Sequence, residues 1–380
     1  MKFLHTSDLH LGKTVNDFSM VEDQKFMLRQ ILGIVRAEAV DAVVIAGDVY
    51  DRSIPPAEAV LLLDSFLGEL AAERIPVLMI SGNHDSPERL SFASRPLEQS
   101  GIYIAGGMDE PVREVVLQDG AGDVHFFLLP FLKPAGLGEK TSEGVVKSVL
   151  PEVDRKKRNV LVTHYFVTAG GRIPELSESE SGVETAKFSV DVGGIDQVDA
   201  ALFERFDYTA LGHIHKAQKI GEQEVYYSGA PLAYSFSEAG AEKSVQLVTL
   251  LQKGEVITER RILRPLHAMR ILQGTLEELM EGAGLPDISR EDYIQARLTD
   301  KEELIDPIGT LRSVYPNVMQ IVFAGREERK EKGYEAVVRH RFRTTQELFA
   351  QFYELVRGED MSRQETELID VVVEELEDDR

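Results

Sequence analysis

The sequence predicts a layered α/β fold, followed by a small α+β domain and a C-terminal pair of helices. Two observations support this prediction. Short apolar runs alternate with helical stretches in the first part of the chain, and beyond about residue 265 the predicted strands and helices become shorter. We therefore expect a core domain over residues 1–265, a capping domain over 266–325, and a charged linker with two helices over 326–380.

The core domain is predicted from five continuous apolar runs. Runs of this length without polar alternation are typical of strands buried on both faces of a sheet. The runs lie at residues 3–6, 42–46, 76–80, 159–162 and 208–211. Helices are predicted between the first three runs, at about 17–39 and 55–73. This alternation indicates an α/β core with sites at the carboxyl ends of its strands.

The rest of the chain is predicted to hold shorter elements. Strands are expected at 269–272, 293–298 and 318–323, with helices at 275–280 and 305–314. Capping-box patterns beginning at Thr344 and Ser362 predict the two C-terminal helices. These helices either pack on their own domain or dock on a partner. We favour docking, because the charged linker at 326–332 separates them from the core.

Composition sets limits on the possible functions. The chain is 43% hydrophobic and 28% charged, which is ordinary for a globular protein. It has no apolar run of the ~20 residues that span a bilayer and no signal-peptide core, so a cytoplasmic location is expected. The absence of cysteine excludes disulfides, thiolate metal sites and a cysteine nucleophile. A net charge of −23 does not by itself suggest a protein that binds DNA phosphates.

Metal-competent side chains follow each apolar run. The candidates are Asp8, His10, Asp48, Asn83, His84, His164, His213 and His215. Residues at i and i+2 of an extended chain share a side, so Asp8 with His10, and His213 with His215, could each grip one ion. Two aspartates, one asparagine and four of the histidines are too many ligands for one ion and suit two ions that share Asp48. Oxygen and nitrogen ligands without thiolates favour Mn²⁺, with Fe or Zn as alternatives.

The chain resembles the calcineurin-like metallophosphoesterases in five motifs. These are Asp8-x-His10, Gly47-Asp48-x-x-Asp51, Gly82-Asn83-His84-Asp85, His164 and Gly212-His213-x-His215. Within that superfamily it is similar to the nuclease subunits of DNA double-strand-break repair complexes, in the stretches 82–92, 129–134, 210–215, 227–231 and 235–238. The resemblance covers residues 1–265 and extends more loosely beyond. It implies two β-sheets flanked by helices, a capping domain and a C-terminal helical hairpin.

The same resemblance implies a role for each site residue. One ion would be held by Asp8, His10, Asp48 and His215, and the other by Asp48, Asn83, His164 and His213. His84 would contact the phosphate, and would stabilise charge or protonate the leaving oxygen, while Asp85 orients its ring. Asp51 stands where archaeal and eukaryotic relatives have a histidine. We count it with His84 and Asp85 as catalytic and expect an electrostatic role.

The function implied by the resemblance is hydrolysis of DNA phosphodiester bonds by a hydroxide that two metal ions activate. It includes double-strand 3′–5′ exonuclease and single-strand endonuclease activity in break repair and recombination. It also implies an ATPase partner with a coiled coil, bound through the C-terminal helices, and a homodimer. The alternatives are a phosphomonoesterase or cyclic-nucleotide phosphodiesterase on the same scaffold, and a non-catalytic scaffold protein. The complete ligand set with His84 argues against the scaffold.

The remaining histidines are predicted to be structural. His5 and His125 lie within apolar runs, and His267 and His340 have no acidic neighbour in sequence. Two basic clusters leave a choice open. Residues 156–158 are either a solvated turn or a DNA contact, and residues 339–343 are either linker or a contact surface for DNA or a partner.

Overall fold

The computed structural model describes residues 1–107, 111–176, 197–282, 289–300, 302, 304–324, 353, 361, 362 and 366. The chain divides into two compact units, Met1–Arg270 and Ile271–Arg380. The predicted linker and C-terminal helices, and His340 with its basic cluster, lie almost wholly outside the described residues. The division into three parts therefore stays a prediction. None of the described helices is long and apolar enough to cross a bilayer.

The first unit contains sixteen strands and five α-helices among its described residues. The strands are β1 (Lys2–Thr6), β2 (Thr14–Val15), β3 (Phe18–Ser19), β4 (Ala42–Ala46), β5 (Val77–Ile80), β6 (Ile102–Ala105), β7 (Arg113–Asp119), β8 (Gly122–Leu129), β9 (Arg158–His164), β10 (Phe166–Thr168), β11 (Gln197–Asp199), β12 (Tyr208–Gly212), β13 (Gln218–Lys219), β14 (Val225–Tyr227), β15 (Lys243–Leu250) and β16 (Val256–Leu263). The helices are α1 (Val21–Glu38), α2 (Ala57–Ala72), α3 (Pro87–Leu90), α4 (Ser94–Glu98) and α5 (Ser142–Val149). Short 3₁₀ helices lie at Pro134–Leu137, Ala200–Phe203 and Phe236–Glu238.

Two six-stranded sheets form the centre of this unit. Their strand orders are β16-β15-β1-β4-β5-β6 and β13-β14-β12-β9-β8-β7. In each sheet four neighbouring strands are parallel, β1, β4, β5 and β6 in one and β8, β9, β12 and β14 in the other. The remaining strands pair antiparallel at the edges. The predicted layered core of two sheets with helices is confirmed.

The two sheets share one hydrophobic core. Phe3 of the first sheet packs edge to face on Phe126 and Tyr208 of the second, with ring centroids 5.5 and 5.7 Å apart. The alternate residues Leu4 and Val43 are fully buried too, so both faces of the first sheet are covered. Continuous apolar strands, rather than alternating ones, are what such two-sided burial requires.

The first helix begins later than predicted. The sequence suggested a start near Asp17, but α1 starts at Val21 because the preceding residues form a hairpin between β2 and β3. Asn16 and Asp17 have φ of 46° and 68°, the left-handed conformation that a two-residue hairpin turn demands and a helix excludes. Helix α2 follows Pro56 as predicted, since proline suits the start of a helix.

The second unit, together with the two residues that precede it, holds a three-stranded sheet in the order β17 (Met269–Gly274), β18 (Tyr293–Leu298) and β19 (Val318–Phe323). Its described helices are α6 (Leu276–Glu281) and α7 (Pro307–Arg312). Helix α6 opens with the capping box of Thr275 and Glu278. Helix α7 is shorter than predicted, because Asp306 caps it by accepting the N–H of Gly309 at 3.1 Å.

Three of the predicted structural histidines lie among the described residues, and each has a structural partner. His5 is fully buried between the Tyr208 hydroxyl, at 3.0 Å, and the Leu211 carbonyl, at 3.1 Å. His125 pairs with Glu114. His267 has an acidic partner after all, since its Nδ1 lies 3.0 Å from the Asp23 carboxylate, far away in sequence.

Both alternatives given for the basic residues at 156–158 are wrong for Arg158. Arg158 is neither in a solvated turn nor available to DNA, because it opens β9 and is 6% exposed. Its guanidinium donates to both carboxylate oxygens of Asp119, at 2.6 and 3.0 Å. The pairing is structural.

Candidate metal centre

The candidate ligands meet where parallel strands of both sheets end. Asp8 and His10 follow β1, Asp48 follows β4, Asn83 and His84 follow β5, His164 is the last residue of β9, and His213 and His215 follow β12. Main-chain hydrogen bonds join the first two loops, from Asp8 N–H to Gly47 C=O at 3.1 Å and from His10 N–H to Asp48 C=O at 3.0 Å. The loops are thus tied together by the backbone before any side chain is considered.

The backbone at these loops is not extended. Asp8, His10 and Asp48 have φ of 53°, 44° and 46°, and His213 has φ of 103°. The prediction that an extended i, i+2 pair grips an ion is therefore wrong in its geometry. The side chains converge because the chain turns sharply at each strand end. Left-handed backbone at non-glycine residues costs energy and clusters at functional sites.

Two glycines allow the strand ends to approach one another. A Cβ atom on Gly82 would lie 2.1 Å from Asp48 Oδ1 and 2.4 Å from the Asp48 nitrogen. A Cβ atom on Gly212 would lie 2.0 Å from the Ala46 carbonyl oxygen and 2.6 Å from His164 Nδ1. Any side chain at either position would push the ligand loops apart.

Asp48 lies between two groups of ligand atoms. On one side, His10 Nε2 is 3.2 Å from His215 Nε2 and 3.8 Å from Asp48 Oδ2. Asp8 can join the same group, because its carboxylate lies within 4.8 Å of ligand atoms of His10 and His215. Three buried or half-buried side chains therefore surround one point beside Asp48.

A second group lies on the other side of the same carboxylate. His164 Nε2 is 3.3 Å from Asp48 Oδ2 and 3.0 Å from Asn83 Oδ1. His213 Nδ1 is 3.1 Å from the same Asn83 oxygen. The structure thus brings together all seven predicted ligands, and Asp48 is the residue that the two groups share.

The residues fit divalent metal ions. Imidazole nitrogens and carboxylate or amide oxygens lie 3.0–3.8 Å apart in a largely buried cluster without sulfur. Such a hard, mixed donor set suits Mn²⁺, Fe²⁺ or Zn²⁺. The chain therefore binds divalent metal at this centre, with Asp48 in the middle.

The ionisation of these groups also favours a cation. Burial lowers the pKa of His213 to about 3, so its ring is neutral and able to ligate. Burial opposes charge on Asp48 and His164 as well, but their mutual attraction outweighs it. The pKa of Asp48 lies well below its ordinary value, and the pKa of His164 rises to about 9. Asp48 is thus an anion paired with the His164 ring, and a metal ion that binds here would take the place of the His164 proton beside that anion.

His84 stands apart from the other histidines. Its side chain is 42% exposed, and its Nε2 lies 4.0 Å from Asp48 Oδ2. Its Nδ1 lies 2.9 Å from the main-chain carbonyl of Asp51 and must donate to it. Position alone leaves two roles open, since His84 forms a possible ligand trio with His10 and Asp48. Its exposure favours contact with a substrate.

The structure corrects the expected role of Asp85. The His84 ring is held by the Asp51 carbonyl and not by the Asp85 carboxylate. Asp85 instead accepts main-chain N–H groups of Val49 at 3.1 Å, Tyr50 at 2.8 Å and Gly82 at 2.9 Å. Burial, together with the charge of Asp48, raises the pKa of this carboxyl to about 6. The Asp85 carboxylate therefore links the loop that carries Asp48 to the loop that carries Asn83.

Several residues near the centre were missed from the sequence. Glu238 is buried beside His215, and Lys243 pairs with it. Burial raises the pKa of Glu238, but the His215 ring and the Lys243 ammonium outweigh it, and the pKa falls to about 2. Gln24 donates to the His10 carbonyl at 2.7 Å. Glu238 lies in a stretch that resembles the nuclease subunits, but no spacing in the sequence gives it, Lys243 or Gln24 a place at the metal centre.

The chain matches two family profiles and is similar to a nuclease subunit. The profile of the calcineurin-like phosphoesterases matches residues 1–217, and that of the type 5 capsule protein repressor C-terminal domain matches residues 265–357. SbcD, a component of the nuclease SbcCD, from Staphylococcus saprophyticus is 33% identical over 334 residues, which are 84% of each chain.

Solved structures resemble the chain at low identity. GAP50, the anchor in the inner membrane complex of Plasmodium, is 14% identical and aligns over 70% of this chain and 90% of its own, with a TM-score of 0.40. YfcE, a phosphoesterase from E. coli, is 15% identical and aligns over 66% and 88%, with a TM-score of 0.27.

Proposed function

Because the chain belongs to the calcineurin-like phosphoesterases, and within them to the SbcD family of nucleases, we propose that it is the metal-dependent nuclease subunit of a DNA break-repair complex. It hydrolyses phosphodiester bonds of DNA, as a double-strand 3′–5′ exonuclease and a single-strand endonuclease. The single observation that carries the proposal is the position of Asp48. It lies 3.8 Å from His10 Nε2 on one side and 3.3 Å from His164 Nε2 on the other.

We assign the ligands to two ions, most readily Mn²⁺. One is held by Asp8, His10, Asp48 and His215, and the other by Asp48, Asn83, His164 and His213. Two bound divalent ions supply a nucleophile at neutral pH and neutralise charge on the phosphate during in-line displacement. The part of the protein is to hold the ions in a fixed, buried arrangement.

His84 acts on the phosphate. Because its Nδ1 donates to the Asp51 carbonyl, its Nε2 is the nitrogen left to face the substrate. In the protonated ring this Nε2–H either donates a hydrogen bond to a phosphate oxygen and stabilises the developing charge, or passes its proton to the leaving oxygen. The exposure of the side chain allows a strand of DNA to reach it.

The charge of the chain makes it rely on other components to bind DNA. Its 65 acidic residues outnumber its 42 lysines and arginines, and the net charge of −23 opposes binding to DNA phosphates. We infer that the metal ions, a second copy in a homodimer, and an SbcC-type ATPase partner with a coiled coil together hold the DNA. The C-terminal helices, which lie outside the described residues apart from single positions, are assigned to partner docking. A cytoplasmic location accords with these partners.

The activity is tested on linear duplex DNA with Mn²⁺ and with EDTA, beside a phosphomonoester such as p-nitrophenyl phosphate. We expect degradation of DNA that requires Mn²⁺ and is lost with EDTA. Hydrolysis of the monoester but not of DNA would favour the phosphomonoesterase alternative. If neither substrate is hydrolysed in a metal-dependent way, the protein is better explained as a non-catalytic scaffold.

Partner docking is tested by deleting residues 344–380. We expect the shortened chain to keep Mn²⁺-dependent cleavage and to lose the ATPase partner in a pull-down assay. Retained binding would show that the partner docks elsewhere. Lost cleavage with intact metal content would mean that the C-terminal segment contributes to the active site.

A further inference from the structure

The rings of His10 and His215 are supported in the same way. Their Nε2 atoms meet at the metal centre, 3.2 Å apart. The opposite nitrogen of each ring faces a carboxylate outside the centre. His10 Nδ1 lies 3.7 Å from Asp51 Oδ1, and His215 Nδ1 lies 3.6 Å from Glu238 Oε1.

A lysine holds each of these carboxylates. Lys13 Nζ lies 2.6 Å from Asp51 Oδ1, and Lys243 pairs with Glu238 Oε2. The carboxylate side chains are 11% and 5% exposed, so both ion pairs lie largely out of water. Lys243 also donates to the main-chain carbonyl of His215 at 3.3 Å. Each carboxylate is thus held in place by the ammonium group of a lysine.

Two atoms in this arrangement have no hydrogen-bond partner. They are His10 Nδ1 and Glu238 Oε1, both buried. Buried polar atoms in proteins nearly always have a partner. A metal ion on Nε2 requires a neutral ring, whose proton then resides on Nδ1 and needs an acceptor. A small movement of the His10 ring towards Asp51 would give His10 Nδ1 an acceptor. A small movement of the His215 ring towards Glu238 would give Glu238 Oε1 a donor.

The ring of His164 is held in a similar way, but by a main-chain carbonyl group instead of a carboxylate. His164 directs its Nε2 at Asp48 and its Nδ1 at the main-chain carbonyl of Ala46, 2.8 Å away. Its tautomer is therefore fixed by the backbone. His10 and His215 have carboxylates in the corresponding position.

We propose that Asp51 and Glu238 are positioning residues for the metal centre. Each accepts the Nδ1 proton of one ring, Asp51 from His10 and Glu238 from His215, and so directs the Nε2 atoms at one ion. Asp51 then acts through His10 and not on the substrate, which replaces the electrostatic role expected from the sequence. The inference rests on the metal binding of the proposed function and not on the identity of the substrate.

The first test measures the affinity of the full-length, metal-free protein for Mn²⁺ by titration calorimetry. Asp51→Asn and Glu238→Gln keep the shape of the side chain and remove its charge. We expect each to weaken Mn²⁺ binding by about 10- to 100-fold, the usual effect of losing such an outer partner. Asp17→Asn and Glu242→Gln are matched controls at exposed carboxylates and should bind as the wild type does. Wild-type affinity in both Asp51→Asn and Glu238→Gln would overturn the inference.

The second test reads the tautomers directly. In protein labelled with ¹⁵N-histidine and loaded with diamagnetic Zn²⁺, we expect protected Nδ1–H signals from His10 and His215. Glu238→Gln should shift or remove the signal of His215 and leave that of His10. A purely structural role for Glu238 would leave both signals unchanged, and a proton on Nε2 of either ring in the wild type would contradict the proposal.

The Glu238→Gln variant is also tested together with a change at Lys243, the residue that pairs with Glu238. Glu238→Gln leaves the Lys243 ammonium buried without its anion, which is strongly destabilising. The double variant Glu238→Gln/Lys243→Met removes both charges at similar volume, and we expect it to fold and to show the same loss of Mn²⁺ affinity. Unchanged affinity in the double variant would refute the role of Glu238. All these measurements use the metal ion alone, without DNA. If they agree with the expected results but the protein does not cleave DNA, the nuclease proposal is refuted and the positioning role of Asp51 and Glu238 is not.

Discussion

The ring of His84 is held by Asp51 through the backbone, with Nδ1 2.9 Å from the Asp51 carbonyl oxygen. The same residue therefore serves two histidines, His84 through its carbonyl group and His10 through its carboxylate. A carbonyl oxygen only accepts, so Nδ1 of His84 must carry a proton. This leaves Nε2 as the ring nitrogen that is available to a substrate.

Replacing His84 separates metal binding from chemistry. We expect His84→Gln to keep the Mn²⁺ content of the wild type and to lose about 10²- to 10⁴-fold in rate, the range for a missing acid–base group. Metal content by mass spectrometry and the initial rate on duplex DNA are the measurements. His125→Gln, whose ring pairs with Glu114 in the second sheet, is the matched control and should keep full activity. A fall in metal content would instead make His84 a ligand.

Replacing Asp85 tests its role as a link between loops. In Asp85→Asn one acceptor oxygen becomes an amide donor, so at least one of three buried N–H groups loses its partner. We expect the free energy of unfolding of the metal-free protein to fall by about 2–4 kcal/mol, since hydrogen bonds to a charged acceptor are involved. Urea denaturation gives this value. If Asp85 served only to orient the His84 ring, stability would stay unchanged while the rate fell.

Adding one methyl group at Gly82 should disrupt the metal centre. A Cβ atom there meets Asp48 at 2.1 and 2.4 Å, including a main-chain atom that cannot move aside cheaply. We expect Gly82→Ala to lose most Mn²⁺ binding in titration calorimetry. Gly33→Ala makes the same change inside α1, where a Cβ atom meets nothing within 4 Å. That control should bind normally and gain roughly 0.5–1 kcal/mol of stability. Normal Mn²⁺ binding by Gly82→Ala would show that the loops can separate without loss.

The Asp119–Arg158 pair should make stability depend on pH. Hydrogen bonds from Arg158 hold the pKa of Asp119 well below its ordinary value. A carboxyl with a depressed pKa stabilises the fold above its unfolded pKa, about 4, and this contribution is lost as the pH falls towards the folded pKa. We expect Asp119→Asn to lower the free energy of unfolding by about 1–3 kcal/mol at pH 7.

The pH dependence is measured by urea denaturation in EDTA at pH 7, 5 and 3. The difference between wild type and Asp119→Asn should be equal at pH 7 and 5 and smaller at pH 3. Asp123→Asn is a control at an exposed carboxylate nearby and should behave as the wild type. A difference that stays constant down to pH 3 would mean that the pKa of Asp119 is not depressed in the folded protein.

The sequence by itself determined the fold class and the group of metal-competent residues. Apolar runs such as 42–46 become strands because uninterrupted hydrophobic segments of this length bury on both faces of a sheet. Residues after parallel strands gather at one edge, since all carboxyl ends point the same way. The position of Asp48 in the predicted centre follows from these local rules and from the motif.

The tertiary structure decided which atoms meet. The left-handed backbone at Asp8 and His10, the three N–H donors to Asp85, and the approach of Glu238 to His215 have no local signal. They arise when two sheets pack face to face and bring distant loops within hydrogen-bond distance. Hydrogen bonds act over about 3 Å, whereas sequence patterns report only periodicity along the chain. For this reason the sequence predicts the ligands, and only the packed fold determines what holds them.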